Sequence, residues 1–294
     1  MTLLQQLIDA VALGALYGLV AVGIGLVFGI MRLINFAYGE LITAGAYTLA
    51  YLDGQSALVS ILACVAVVVA LSLAMERVAF RPLRNASPAT MLVATFAISF
   101  LLQNIYLLMF GSRGQTVGTL GRLNNAIKVG SLNIRWISIV ALLVGGVLLA
   151  ATTLLLNRTT IGLQMRAAAA DFRTARLLGV RANRVISFSF LISGVLAAAV
   201  SVLLTVQDPL VTPSYGVSIT IFALIGVVVG GLDRLVSAAL GGFMIGFANS
   251  FVGAQLPTSS SVYLPSVVYG LVILVLLLRP AGLFAPRRRA VERV

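Results

Sequence analysis

Apolar residues in this chain occur in long unbroken blocks separated by short polar or charged connections. Blocks long enough to cross a bilayer as helices cover about 7–31, 57–78, 90–110, 136–156, 186–206, 215–231, 235–252 and 262–279, since roughly 20 consecutive apolar residues span the hydrocarbon core. A shorter run, 38–52, is a ninth candidate. A transmembrane β-barrel would show segments of roughly ten residues with alternating polarity instead. The pattern predicts an all-α polytopic membrane protein of eight or nine transmembrane helices, ten at most, with 1–294 forming a single transmembrane domain.

Composition narrows the chemistry. Of 294 residues, 60% are hydrophobic and 10% charged, against about 25% charged in soluble domains, so a separate globular domain is excluded. The chain has no His and one Cys, Cys64, inside an apolar run. A His/Cys metal site, a His-based triad and a disulfide framework are therefore unavailable, and Cys64 reads as a packing residue. The net charge of +12 is spread between the apolar runs rather than gathered on one basic face, which argues against nucleic acid as a partner.

The cations instead report topology. With nine crossings, one set of connections holds Arg32, Arg77, Arg81, Arg84, six arginines from Arg158 to Arg184, Arg234, Arg279 and the four from Arg287 to Arg293. The opposite set holds Arg113, Arg122, Lys128 and Arg135. Cytoplasmic loops retain positive charge, so the amino terminus is expected outside and the carboxyl terminus in the cytoplasm. No basic stretch precedes the first apolar run, and a cleaved signal peptide is not expected. The sequons at Asn85 and Asn157 fall on the expected cytoplasmic side and call for no functional reading.

The two ends of the chain echo one another. Gly29-Ile-Met-Arg32-Leu-Ile-Asn-Phe-Ala37-Tyr-Gly39 aligns with Gly231-Leu-Asp-Arg234-Leu-Val-Ser-Ala-Ala239-Leu-Gly241, and Tyr17-Gly18 is echoed by Tyr215-Gly216. Both copies leave a span and enter a shorter apolar segment, which suggests a parallel internal repeat whose matching interruptions point towards a substrate path. The pairs Gly14/Gly18, Gly25/Gly29, Gly226/Gly230 and Gly242/Gly246 have the spacing that lets membrane helices approach at the backbone.

Polar residues within or beside spans are the candidates for that path, because polar and ionisable groups in a membrane are costly. Asn35, Tyr38 and Glu40 interrupt the apolar pattern after the first span, with Arg32 as a turn cation. Glu40 would also suit the start of the next helix, where a carboxylate meets the positive end of the dipole. Gln103 and Asn104 lie in the 90–110 run, and Asn249 and Ser250 in 235–252. Each is a candidate for a polar lining; interhelical hydrogen bonding is the competing reading.

The longest charged connection, about 157–184, is rich in Ala, Arg and Leu, opens with Thr159-Thr160 and reaches Gly179, a suitable stop. It predicts about four turns of helix outside the bilayer, able to dock in a partner's groove or to lie on anionic lipid. The pattern Thr160-Ile-Gly162-x-x-x-Arg166-Ala167-x-x-x-Asp171-x-x-x-Ala175-x-x-x-Gly179 resembles the coupling loop of permeases from ATP-binding-cassette importers of the branched-chain amino acid type (LivH-like). Asn35-Phe-Ala-Tyr-Gly-Glu40 resembles that family's Asn-Phe-Ala-His-Gly-Glu element, and Arg279-Pro-Ala-Gly-Leu-Phe284 its closing Arg-Pro-x-Gly-Leu-Phe. Tyr38 departs from the usual His, and Gly230-Gly231-Leu-Asp233-Arg234 from a more common Gly-Gly-Leu-Gly-Ser run.

The resemblance covers essentially the whole chain and implies a permease subunit of the bacterial inner membrane, importing branched-chain or other hydrophobic amino acids. It implies two ATPase subunits on the 157–184 loop, a second homologous permease and an extracytoplasmic substrate-binding protein, within membrane lipid. Gly162, Arg166, Ala167, Asp171, Ala175 and Gly179 would couple to the ATPase. Related permeases carry urea or short amides, which leaves that cargo as an alternative. The chain itself offers no phosphate loop, since its one lysine, Lys128, follows Ile127. No cofactor is therefore expected in this chain, and ATP would be used by the partner subunits. An ion-coupled secondary transporter built around Glu40 is the competing class; an intramembrane hydrolase lacks a His and a Ser/Lys pair.

Overall fold

The computed structural model describes residues 3–84, 86–129, 132–231, 235–279 and 282–284. Asn85, Asp233, Arg234, Pro280, Ala281 and the arginines from Arg287 to Arg293 lie outside the described residues, as do the side chains of Arg122 and Lys128. The helices are α1 (Leu3–Met31), α2 (Tyr38–Tyr51), α3 (Ala57–Met75), α4 (Pro88–Phe110), α5 (Trp136–Arg158), α6 (Thr160–Ala170), α7 (Phe172–Leu177), α8 (Ala182–Gln207), α9 (Tyr215–Gly230), α10 (Leu235–Gln255) and α11 (Leu264–Leu278). A π-helical turn, Glu76–Phe80, extends α3, and a 3-10 turn, Thr258–Tyr263, leads into α11.

Among the described residues, seven helical segments are long and apolar enough to cross a membrane, and α9 is a shorter apolar helix. These eight fall on the eight long runs of the sequence. The ninth run forms α2, whose 14 residues reach only about 21 Å at 1.5 Å per residue. Local chemistry fixes several ends. Ser87 caps α4 by accepting from the Thr90 amide at 3.1 Å, with Pro88 in the first turn. Gly111, at φ +78°, closes the same helix.

Contacts set the relative directions. Gln6 bonds the Ala254 carbonyl and Gln255, while Gly14 and Gly18 lie against Phe243 and Ala239, so α1 and α10 are antiparallel. Gly226 against Gly242 and Gly230 against Ser237 make α9 antiparallel to α10. The expected repeat thus runs the same way in both copies, α1 with α9. Lengths differ, however. In the second copy the short member is the entering helix α9, of 16 residues, and α10 has 21. Three of the four glycine pairs sit at close backbone contacts; Gly29, of the pair Gly25/Gly29, has open space at its Cβ position.

Among the seven long spans α1 and α8 are the most buried, each with 72% of its most apolar window inside, against 17% for α5 and 11% for the span ending in α11. On α8 this follows from small residues at every fourth position: Ser189, Ser193, Ala197, Ser201 and Thr205 are all buried. The stripe lets α2 pack closely. Ser201 Oγ donates to the Ile42 carbonyl at 2.8 Å, and the Tyr38 hydroxyl donates to the Ser193 carbonyl at 3.4 Å. One end of the bundle carries a small cap, in which β1 (Gln115–Thr116) pairs antiparallel with β4 (Leu210–Val211) and β2 (Ala126–Val129) with β3 (Leu132–Arg135). Asp53, just past α2, ties this cap down by accepting from the Gly118 amide and the Thr119 hydroxyl.

The 157–184 connection differs from the single four-turn helix its composition suggests. It is broken into α6 and α7 at Asp171, whose extended backbone ends α6 and whose carboxylate caps α7 through the Arg173 and Thr174 amides. The alanines before Asp171 favour a helix, but a short acidic side chain gains more by capping the next turn than by continuing the last one. Gly179 does end the segment, at φ +87°, with the paired bonds Val180 N to Ala175 O and Gly179 N to Arg176 O.

Candidate translocation site and coupling surface

The chain leaves α1 at Arg32, the one non-glycine residue with positive φ among the described residues. It then runs irregularly to α2. Asn35 is buried and its side chain serves the backbone, accepting from the Ala37 amide at 3.1 Å where α2 begins. Tyr38 and Glu40 follow on the first turn and are both fully enclosed. Gly39 lies backbone to backbone against Gly216, the start of α9, and the Gly216 amide donates to Thr43 Oγ1 at 2.9 Å. A helix that begins inside the bundle must satisfy its free amides there. Part of that demand is met by Asn35, and the Glu40 carboxylate complements the positive end of the helix.

Glu40 anchors a polar cluster between α2 and α4. Its Oε1 accepts from Ser99 Oγ at 2.8 Å and Gln103 Nε2 at 2.9 Å, and its carbonyl accepts from the Tyr106 hydroxyl at 2.9 Å. Three buried polar atoms on or beside α2 have no partner among the described residues: Glu40 Oε2, Tyr47 Oη and Thr220 Oγ1. Buried polar groups are rarely left so, and three around one short helix mark it as the polar heart of an otherwise apolar bundle.

The structure thus brings Asn35, Tyr38, Glu40 and Gln103 to one region and leaves Asn104 on α4 and Asn249 and Ser250 on α10 elsewhere. Asn104 is exposed on the outer face of α4, donating to the Phe100 carbonyl, and Asn249 donates to the Tyr17 hydroxyl at 3.4 Å across the α10 to α1 interface. Ser99 and Tyr106 were not among the candidates, although with Gln103 they follow the i, i+4, i+7 spacing of one helical face. The serine and threonine ladder of α8 carried a similar signal.

At the end of the bundle opposite the cap, α6 and α7 form a platform. Thr159 caps α6 by accepting from the Gly162 amide at 3.1 Å, and Gly162 has no room for a side chain against the Leu155 and Leu156 backbone. Gly162, Met165, Ala168 and Ala175 face inward and are buried. Arg166, Ala167, Asp171 and Gly179 are exposed. Arg166 donates to Asn157 Oδ1 at 2.6 Å, and Arg32 reaches the Ala169 carbonyl at 3.3 Å, holding α6 against the ends of α5 and α1. Leu163, Leu177 and Leu178 are exposed beside the arginines. Hydrogen bonds from Thr174, through its hydroxyl and its amide, hold the Asp171 carboxyl below its ordinary value.

Residues 6–277 match the family model described as the permease component of branched-chain amino acid transport systems. The chain belongs to this permease family. It is 34% identical over 305 residues to the high-affinity branched-chain amino acid transport system permease protein BraD of Pseudomonas aeruginosa, covering 99% of this chain and 98% of that protein. It is 32% identical over 307 residues to the corresponding permease LivH of Escherichia coli, covering 99% and 97%. A solved structure, PsaBC from Streptococcus pneumoniae in complex with Fab, has a similar fold at a TM-score of 0.50 and 14% identity, covering 96% of this permease and 92% of that chain. The permease is accordingly a multi-pass protein of the bacterial inner membrane, and its family works as the membrane component of ATP-binding-cassette importers.

Proposed function

We propose that the permease forms the translocation path for branched-chain or other hydrophobic amino acids in an importer containing a second homologous permease, two ATPase subunits and an external binding protein. The cargo is proposed from the relatives, BraD and LivH, which are named for branched-chain amino acid transport. The observation that carries the reading is the α6/α7 platform. Its inner face is locked onto α1, α5 and α8, while its outer face offers Leu163, Leu177 and Leu178 among arginines. Apolar anchors rimmed by cations on a short helix suit the groove of a partner protein. ATP is hydrolysed by that partner, and movement of the platform is transmitted to α1 and α8.

Under this reading Asn35, Tyr38, Glu40 and Gln103 border the path where α2 begins. Tyr38 and Glu40 are enclosed here, so access requires α2 to shift against α4 and α9. Ligand and ATP bias such an equilibrium only through differential affinity for its two states. Asn249 is assigned to the α10 to α1 contact, and Asn104, which bonds only within α4, is given no part in the path. The platform end, which gathers Arg32, Arg158, Arg166, Arg173 and Arg176, is assigned to the cytoplasm.

The test is to purify the permease in mild detergent from its native cells and identify what stays bound by mass spectrometry. An ATPase should copurify, and it should be lost when 166–179 is replaced by a Gly/Ser linker. A permease that stays alone and transports on an ion gradient without ATP would overturn the reading in favour of secondary transport.

A further inference from the structure

The ends of α3, α7 and α8 enclose a groove of about 740 Å³ lined by Arg81, Arg84, Phe172, Arg176, Arg181, Asn183 and Arg184. Five guanidinium groups converge there from two stretches of chain far apart in sequence, 81–84 and 172–184. Of the five, only Arg84 has a carboxylate partner among the described residues: it bonds Glu76 and also Asn183, and Ser187 completes Glu76 at 2.9 Å. This half-buried cluster joins the end of the α3 segment to the start of α8. Arg81, Arg176, Arg181 and Arg184 are exposed around it and make no ion pair among the described residues.

We infer that this groove is a binding site for the phosphate of an anionic membrane phospholipid. The argument is one of charge and position. Four unpaired guanidinium groups leave a surplus that only an anion can neutralise, and guanidinium forks match phosphate oxygens in geometry. The groove sits where membrane-crossing helices end, the level of the headgroups. The outward face of α3 and its π-helical extension leads up to it, with Val67 and, next to the cations, Val78 exposed, so acyl chains have an apolar surface running to the groove. Basic pockets between helices at the membrane surface hold anionic headgroups in this way. A protein partner fits less well, because the exposed leucines of the platform, Leu163, Leu177 and Leu178, do not line the groove. A lipid seated there would bridge α3, α7 and α8 and hold α7 against the bundle, which makes platform mobility sensitive to lipid charge.

The experiment is native mass spectrometry of the full-length permease with whatever subunits it carries, delipidated and then offered phosphatidylglycerol, phosphatidylcholine or inorganic phosphate. Phosphatidylglycerol should be retained in at least about tenfold excess over phosphatidylcholine, since each arginine at a membrane surface contributes about fivefold to anionic lipid binding. The double variant Arg81→Gln/Arg181→Gln should lose that excess, Arg81→Lys/Arg181→Lys should keep most of it, and Arg113→Gln/Arg158→Gln, with the same charge loss elsewhere, should lower it far less than the groove pair does. A thermal melt of each variant separates loss of lipid from loss of fold. Equal retention of both lipids, or an excess that survives the Gln pair, would overturn the site. Displacement by millimolar inorganic phosphate without any lipid preference would make it a free-anion site, and loss of lipid only when an ATPase is bound would make it a protein interface; both outcomes overturn the proposal.

Discussion

Glu40 places an ionisable side chain inside the bundle, and its neighbours show how it is accommodated. One carboxylate oxygen takes two hydrogen bonds, from Ser99 and Gln103, and the other has none among the described residues. Replacement by glutamine keeps the shape and an acceptor, so Glu40→Gln should retain ATP-driven uptake; its abolition would point to an obligatory charge and revive ion coupling. Glu40→Ala strands Ser99 and Gln103 beside a cavity and should destabilise the detergent-solubilised permease by about 1–3 kcal/mol, read as a lower melting temperature. Asp171 illustrates the other kind of acid, fully exposed and useful as a cap. Its carboxyl is held below its ordinary value by Thr174 and Arg173. The cap's contribution is therefore complete above the unfolded-state value and fades only as pH falls through the lower folded one. The Arg173 and Thr174 amides should be protected at pH 7 and lose that protection in Asp171→Ala, and in the natural protein protection relative to the intrinsic exchange rate should fade only as pH falls below the ordinary aspartate range.

Between helices, the decisive residues are those that are missing a side chain. A Cβ on Gly39 would stand 2.6 Å from the Gly216 carbonyl oxygen, a separation the crossing of α2 and α9 cannot absorb without moving. Gly39→Ala should cost about 1–3 kcal/mol and lower transport together with stability, whereas Gly29→Ala, with open space at the same atom, should be silent in both; equal effects would show that the crossing is not tight. This scale also shows what the sequence made legible. Eight long apolar runs became helices because length and polarity alone decide that outcome in lipid. Near-complete burial of α2 was not readable from its 14 residues, since it depends on small residues of α8 and α9 far along the chain. Nor was the break at Asp171 readable by composition, where eight good helix formers, Leu163 to Ala170, precede one capping group. The α4 face of Ser99, Gln103 and Tyr106, by contrast, was written in plain helical spacing, and only its partner Glu40 was hidden by distance in sequence.

Across the whole molecule, the two ends of the bundle differ in kind, and that difference predicts which way the permease faces. The cap end is built from short strands held by Asp53 and by Gln5, which accepts from the Asn133 amide at 3.0 Å. The platform end gathers the arginines that follow α1, α3 and α5 and precede α8. If retained positive charge sets orientation, the cap meets the binding protein outside and the platform meets the ATPase inside. The chain is suited to a direct test, because its one cysteine, Cys64, is fully buried and Cys64→Ala leaves a background without thiols. In that background, Arg113→Cys at the cap end should react with a membrane-impermeant maleimide on intact cells, and Arg158→Cys at the platform end should react only after permeabilisation. Both positions are exposed, so silence at either one cannot be assigned to burial in the bundle. The reverse pattern would turn the molecule over, place the platform outside the reach of any ATP-hydrolysing partner, and remove the basis for coupling through α6 and α7.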